Sequence, residues 1–420
     1  MHDTLPEAVV AAHNVRVNED GSNVVVYKQP DGKEVLVTVA VVGEGTAGIG
    51  AGAATASALA ALASSSIANP IPANEPRGSP LITDDILLFD APALQSGAGS
   101  DMTASVRMFS FVRQIDSGVV SSVVTKAIEA FGVEIGNKAN NVLERTKLFL
   151  AIPRSEISVD LKVSTCNSIS VGKTSDGGLL EQSAALGACD GSLTPKNISG
   201  SVPRIFNSKQ FSATLFPSGP SGFGVVSDVD DTIKVSNVLD RTKAVQSLLV
   251  DDHQAVSGMP ELYSKVNGAL SNPAWFYLSG SPYQLYPSLR KFIFATYPNG
   301  PMIVQNLTVT DISSVLDFIT NPNNVKDYKI AQMEKIYSFY PQKKFLTVGD
   351  STQADPEVYA EIFRRHPEFI QCIWIRQVQG ANNTAERFAS AFQGVPQNKW
   401  KVFSDPAEVT NLDVANGKCN

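Results

Sequence analysis

The clearest hydrophobic pattern lies in the second half of the chain, where short apolar runs alternate with segments of helical period. Residues 223–228, 275–278, 302–305, 344–348 and 369–375 are strand-length and almost wholly apolar. Between them, 241–249, 260–270, 285–296, 330–340 and 356–366 carry apolar residues at helical spacing. A strand covered on both faces is apolar throughout, and strands that alternate with helices build a parallel sheet. The pattern predicts an α/β, Rossmann-like layer of five strands within residues 220–420.

The first half reads differently. From 82 to 219, short apolar runs at 86–89, 105–112, 147–152, 157–163 and 210–216 are divided by Gly, Ser, Asn and Pro. Such strands need a second sheet over their apolar faces, so a β-sandwich-like domain is predicted, with 119–131 as a helical insertion. In the N-terminal extension, 1–44, two Val-rich halves flank Pro30-Asp31-Gly32 and predict a hairpin over 24–29 and 33–42. Residues 45–81 are rich in Gly and Ala, and 45–74 carry no charge. Three readings stand open for that segment: a flexible linker, a displaced signal segment near 46–68, or a weak membrane anchor.

Composition narrows the function classes. At 420 residues and 43% hydrophobic, the chain is long enough for two or three packed domains. A net charge of −7 gives no general attraction to nucleic acid or anionic lipid, so any membrane contact must be local. No nucleic-acid-binding motif is present. The four cysteines, Cys166, Cys189, Cys372 and Cys419, lack CxxC spacing, and four histidines complete a poor inventory for zinc. Cys166 and Cys189 fall in the same loop-rich region and can pair if the protein is secreted. The localisation alternatives are therefore cytoplasmic and peripheral to membranes, or secreted through the 46–68 segment.

Candidate chemistry gathers at the ends of the predicted strands. The run from Phe223 stops at Asp228-Val229-Asp230-Asp231-Thr232. Carboxylates this close repel unless a cation offsets them, and hard oxygen ligands suit Mg²⁺ or Ca²⁺. A solvated turn or a helix cap is the competing reading, since Asp and Thr favour both. An EF-hand is excluded, because its sixth and twelfth positions, Gly and Glu, are here Ile233 and Leu239. Strand 275–278 ends in Ser279-Gly280-Ser281-Pro282, a hydroxyl and backbone amide suited to a phosphate oxygen. Strand 344–348 ends in Gly349-Asp350, with Asp355 five residues on. Lys329 opens the helix that feeds this strand, within reach of a bound phosphate.

Together these four pieces resemble the haloacid dehalogenase superfamily of phosphatases. The phrases Ser227–Lys234, Ser279–Pro287 and Val348–Ser351 with Asp355–Tyr359 resemble, more narrowly, the catalytic domain of the fungal actin-patch-type phosphatidate phosphatase family. The resemblance covers 223–378. It implies a haloacid dehalogenase-like domain over 220–420 that hydrolyses phosphatidate to diacylglycerol and phosphate with Mg²⁺. It further implies Asp228 as nucleophile, Asp230 as general acid, and Ser279 and Lys329 on the transferring phosphoryl group. Asp228, the backbone carbonyl of Asp230, Asp350 and Asp355 would hold the metal; Thr232, Gly280 and Ser281 would line the substrate loop. Gly280 replaces the Asn of the family's usual Ser-Asn-Ser. The expected partner is a lipid phosphate at a membrane surface, with no Pro-rich tail for SH3 domains. The alternatives are a soluble phosphomonoester or phosphoprotein as substrate, or a scaffold acting through the β-domain. Arg376 reads as a headgroup contact or a surface ion pair. The short segment between Ile233 and Trp275 predicts an open site. Its Leu248, Leu249, Val250 and Met259, near Arg241, Lys243 and Lys265, fit either shallow lipid contact or ordinary packing.

Overall fold

The computed structural model describes residues 14–17, 23–28, 34–39, 83–96, 100–112, 125, 128–129, 131–149, 151–204, 207–306 and 322–420. The open question of 45–81 lies outside them, and so does most of the expected helix at 119–131. Strands β1 (Asn14–Val17), β2 (Asn23–Lys28) and β3 (Glu34–Val39) form a small antiparallel sheet. Within it β2 and β3 pair from Asn23 opposite Val39 to Lys28 opposite Glu34.

Nine strands make the second sheet: β4 (Asp84–Leu88), β5 (Ala91–Gln95), β6 (Asp101–Val112), β7 (Ile152–Pro153), β8 (Val159–Val163), β9 (Ile169–Val171), β10 (Leu179–Ala188), β11 (Lys196–Pro203) and β12 (Ser208–Ser218). The order is β10-β6-β5-β12-β11-β8-β9, with β4 and β7 also on β6. All pairs are antiparallel except β5 with β12. Instead of two stacked sheets, one sheet curls over until its ends meet, where the Gly172 amide donates to Gln182 Oε1 at 2.8 Å. The physical reason is the alternation along its strands: Met102, Leu161, Leu186 and Leu215 all point into one interior. Within the run 147–152, expected as a strand, residues 147–149 form a turn. It follows helix α1 (Ala139–Thr146), whose C-cap Lys147 remains helical and whose Thr146 carbonyl accepts from Phe149 N–H.

The third sheet has six strands: β13 (Ser221–Asp228), β14 (Ala274–Pro282), β15 (Met302–Gln305), β16 (Gln342–Asp350), β17 (Ile370–Arg376) and β18 (Trp400–Phe403). They are all parallel, in the order β15-β14-β13-β16-β17-β18. Helices α2 (Arg241–Val245), α3 (Met259–Ala269), α4 (Tyr286–Thr296), α5 (Pro322–Phe339), α6 (Asp355–Arg365) and α7 (Ala385–Ala391) cover it. Adjacent residues serve opposite faces, as the pleat requires. Val225 joins Tyr263, Leu289 and Ile293 in one core, while Val226 joins Met333, Ile336 and Val358 in another. The α/β prediction therefore stands, with one strand more than the pattern showed. Edge strand β18 reads Trp-Lys-Val-Phe and is only partly buried, so it lacks the apolar continuity of its neighbours.

Helix α5 is longer than expected, which places Lys329 two turns inside it rather than at its start. The expected turn at Ser279–Pro282 is the end of β14, because Pro282 still stands opposite Gln305 after an irregularity in the register. The lipid-contact reading of 248–259 is overturned. Leu248, Leu249, Val250 and Met259 are core residues, and the exposed large apolar side chains between Ile233 and Trp275 are Val235 and Leu239. Two disulfides are present, Cys166–Cys189 and Cys372–Cys419. No described helix is long and apolar enough to cross a membrane.

The curled and parallel sheets share a polar joint centred on Asp90. Its backbone N–H donates to Tyr286 Oη at 2.7 Å, and its carboxylate accepts from Arg290 Nε at 2.6 Å and from Thr214 N–H at 2.7 Å. A buried carboxylate is tolerated where a guanidinium and amide donors satisfy it.

Candidate active site

The carboxyl ends of β13, β14 and β16 bring the expected acids together. Asp228 closes β13, and its Oδ1 accepts from Lys329 Nζ at 2.7 Å while its Oδ2 accepts from the Thr232 hydroxyl at 2.7 Å. Thr232 lies within hydrogen-bonding distance of Asp350 Oδ2 as well, at 3.0 Å, so one hydroxyl ties two strand ends. Asp350 closes β16, where Oδ1 accepts from Thr352 N–H and hydroxyl. Asp355 is the first residue of α6; its Oδ1 accepts from Lys329 at 2.5 Å and its Oδ2 from the Asp350 N–H at 3.1 Å. Gly349 makes that approach feasible, since a Cβ there would lie 2.6 Å from the Asp355 Cβ.

Carboxylate oxygens of Asp228, Asp350 and Asp355 all lie within 4.8 Å of one another. Lys329 is the only ammonium bonded to them among the described residues, so three acids face one cation. The electrostatics record this excess. Burial, against the pull of Lys329, pushes the Asp228 carboxyl well above its usual range. Burial and then the Asp355 charge push Asp350 up to about 7. Burial alone would lower the Lys329 ammonium, but Asp228 and Asp355 outweigh it and hold the lysine charged. A buried cluster of hard oxygen donors with unmatched negative charge fits a divalent cation such as Mg²⁺.

Asp230 faces the other way. Its Oδ2 accepts from Ser279 at 2.9 Å and Ser281 at 3.2 Å, and its Oδ1 from Ser236 at 2.6 Å and Lys234 at 3.3 Å. Burial by itself would raise this carboxyl, but the Lys234 charge and the bonds from Ser236 and Ser279 hold it below the usual range. Ser279 and Ser281 are thus bonded to the acid between the chain's own strand ends. Gly280, between them, backs onto Val325 of α5, where an added Cβ would sit 3.1 Å from Cγ1.

Lys234 and Ser236 were not singled out as site residues in the sequence. The available signal was Lys234 set between Ile233 and Val235, an ammonium in an apolar run that must find a buried partner. Arg376 Nη1 donates to the Asp231 carbonyl at 2.7 Å. Asp231 adopts a φ of 57°, a left-handed conformation that Asp tolerates, and its carboxylate accepts the N–H groups of Ser236, Asn237 and Val238 at 2.8 Å each. The loop after β13 is thereby folded on itself around the Asp231 carboxylate. The expectation of an open site is not met, because Asp228, Ser279, Lys329, Asp350 and Asp355 are each no more than 1% exposed.

Residues 223–377 match the family model described as the phosphatidate phosphatase APP1 catalytic domain. That segment is therefore similar to the APP1-type catalytic domains. Phosphatidate phosphatase APP1 of Saccharomyces cerevisiae is 29% identical over 273 residues, which cover 62% of this chain and 44% of the yeast protein. An uncharacterized Schizosaccharomyces pombe protein is also 29% identical, over 161 residues that cover 38% of this chain and 26% of its own. The chain spans less than half the length of these curated relatives. A Parabacteroides merdae beta-glucuronidase structure aligns with a TM-score of 0.27 at 8% identity, over 71% of this chain and 34% of that one, which carries no information on fold or function. Every motif residue described above, from Asp228 to Asp355, falls inside the matched segment.

Proposed function

We propose that this chain is a Mg²⁺-dependent, haloacid dehalogenase-like phosphatase that hydrolyses phosphatidate to diacylglycerol and phosphate. The observation that carries the reading is the meeting of Asp228, Lys329, Asp350 and Asp355 at one sheet edge, inside the segment related to a phosphatidate phosphatase. Asp228 attacks phosphorus, the bond to the lipid oxygen breaks, and an aspartyl-phosphate forms as the alcohol takes a proton that Asp230, ionised in the free site, has first picked up from the phosphate monoanion. Asp230 then takes a proton from water as that water attacks phosphorus, the phosphate leaves, and Asp228 is restored. Ser279 and Ser281 release Asp230 by rotating their hydroxyls toward phosphoryl oxygens, and Lys329 offsets the charge on the transferring group. The proposed ligands for Mg²⁺ are Asp228, the Asp230 carbonyl, Asp350 and Asp355; the ion supplies further charge compensation to the phosphoryl oxygens when bound.

Phosphate release by the purified chain from phosphatidate in detergent micelles, and from a water-soluble ester, tests the proposal with Mg²⁺ and with EDTA. Release from phosphatidate that vanishes in EDTA is the expected result. Release only from the soluble ester would sink the lipid substrate, and release unaffected by EDTA would sink the metal.

The cation has a second readout. Asp350 binds its proton more tightly folded, with a pKa of about 7, than in an unfolded chain, where a carboxyl titrates near ~4. The folded state therefore retains a proton that the unfolded state has lost, and stability falls as pH rises from about 4 to about 7. In EDTA this loss is expected to be on the order of a few kcal/mol. Mg²⁺ should raise the thermal midpoint more at pH 8 than at pH 5, and Asp350→Asn should flatten the profile. Equal Mg²⁺ effects at both pH values would count against the three-carboxylate site.

A further inference from the structure

A cavity of about 180 Å³ lies between β15 and α5, under the curled sheet. Arg107 of β6 and Glu181 of β10, cross-strand partners in that sheet, meet Gln305 at the end of β15 and Tyr328 of α5 here. Gln305 and Tyr328 each neighbour a residue placed at the proposed phosphoryl site. Gln305 stands opposite Pro282, next to Ser281, and Tyr328 precedes Lys329. Across two strand spacings Asp228 is level with Leu278 and then Ile303, so Gln305, two residues further along β15, is roughly 12 Å from it.

Three of the residues that line the cavity carry a buried polar atom without a hydrogen-bond partner. Arg107 Nε, Gln305 Oε1 and Tyr328 Oη are each buried and unbonded. The rest of Arg107 is held in place: Nη1 donates to the Val304 carbonyl at 2.8 Å, Nη2 donates to Asn306 Oδ1, and the guanidinium lies 4.5 Å over the Phe89 ring. Buried polar groups without partners are costly, so several converging on one cavity point to something that binds there.

The cavity also continues. A second space of about 100 Å³ shares Arg107, Glu181 and Gln332 with it and runs on between Met302, Ile303, Ile336 and Phe339. The lining turns from polar to apolar along both elements, from Gln305 back to Met302 on β15 and from Tyr328 on to Phe339 on α5. Lys335 of α5 and Glu181 of the curled sheet pair at 2.8 Å along this channel. The polar end is nearer the acids. This order of functional groups matches an ester followed by a hydrocarbon chain, attached to a phosphate by a short linker.

We infer that this channel is an acyl subsite, in which Arg107 and Tyr328 bind an ester carbonyl of a glycerophosphate lipid and the apolar half takes the start of its acyl chain. The inference rests on the phosphatidate reading and adds a role for the curled sheet, which supplies Arg107 and so helps select a lipid over a small phosphate ester.

The test uses Tyr328→Phe, which removes a hydroxyl with no partner in the protein and so leaves packing intact. The readout is the ratio of kcat/KM on dioctanoyl phosphatidate to that on p-nitrophenyl phosphate. One lost hydrogen bond predicts a fall in this ratio of about tenfold, and Ile303→Trp, which fills the apolar half, should lower it further. An unchanged ratio in both variants overturns the acyl subsite while leaving the phosphatase reading in place. If the wild-type chain hydrolyses p-nitrophenyl phosphate but not phosphatidate, the lipid reading and the subsite fall together, and inertness toward both substrates overturns the active site itself. A phosphatidate with a photoreactive group in its acyl chain should, independently, label residues within 301–305 or 332–340. Labelling confined to other segments would overturn the placement.

Discussion

Asp228→Asn is expected to lower phosphate release by on the order of 10⁴-fold or more, the scale seen when a covalent nucleophile is removed. The fold should survive, and the hydrogen bonds around Asp228 show why. An Asn oxygen in the place of Oδ1 still accepts from Lys329, which now sits at 2.7 Å. The Asn amide in the place of Oδ2 donates to Thr232, whose hydroxyl then gives its proton to Asp350, 3.0 Å away. The substitution also removes one of three mutually repelling acids. A thermal midpoint within a few degrees of the wild type is therefore expected. Residual release above a few per cent in a well-folded variant would remove Asp228 from the nucleophile role.

Gly349→Ala is expected to be the most damaging single methyl group in the site. Its Cβ would lie 2.5 Å from Asp355 Oδ2 and 2.6 Å from Asp355 Cβ, and the latter belongs to the first turn of α6 and cannot swing away. Either α6 must move off the end of β16, or Asp355 must leave Lys329 and the Asp350 amide. Overpacking of this kind costs about 3 kcal/mol, and the displaced acids should lower phosphate release at least tenfold as well. Thermal unfolding together with the release assay checks both parts. A variant with wild-type midpoint and rate would show that the β16 to α6 turn adapts freely, and the importance given to that close approach would be withdrawn.

How far the molecule was legible in its sequence can be followed strand by strand. Strand β15 reads Met-Ile-Val-Gln and coincides with the expected 302–305, and β13, β14, β16 and β17 appear around the apolar runs that announced them. The β-rich half was less readable. In β10, Leu-Leu-Glu-Gln-Ser-Ala-Ala-Leu-Gly-Ala, the buried positions are Ala184 and Leu186, and alternation between small residues is too weak to signal a strand. Its curl depends on which strands pair at the two ends, and no local period encodes that. The Cys372–Cys419 pairing was equally hidden, since a separation of 47 residues says nothing about proximity until β17 and the C-terminal segment are placed side by side.

The candidate site divides in the same way. Residue order alone determined that Asp228, Ser279 and Asp350 would stand at strand carboxyl ends. A wholly apolar run has to be buried, and the first carboxylate or hydroxyl after it marks where the chain emerges from the core. Only the tertiary structure decided how those groups divide between two clusters. Asp228, Asp350 and Asp355 gather around Lys329, because α5 carries that lysine across from two turns inside the helix. Asp230 turns instead to Lys234, Ser236, Ser279 and Ser281. Hydrogen-bond reach is about 3 Å, far shorter than the chain lengths that separate these residues, so sequence spacing cannot specify which donor each carboxylate finds. The same limit kept Arg107 out of sight, as an arginine in a β-strand of another sheet becomes a neighbour of Tyr328 only after the two sheets have docked.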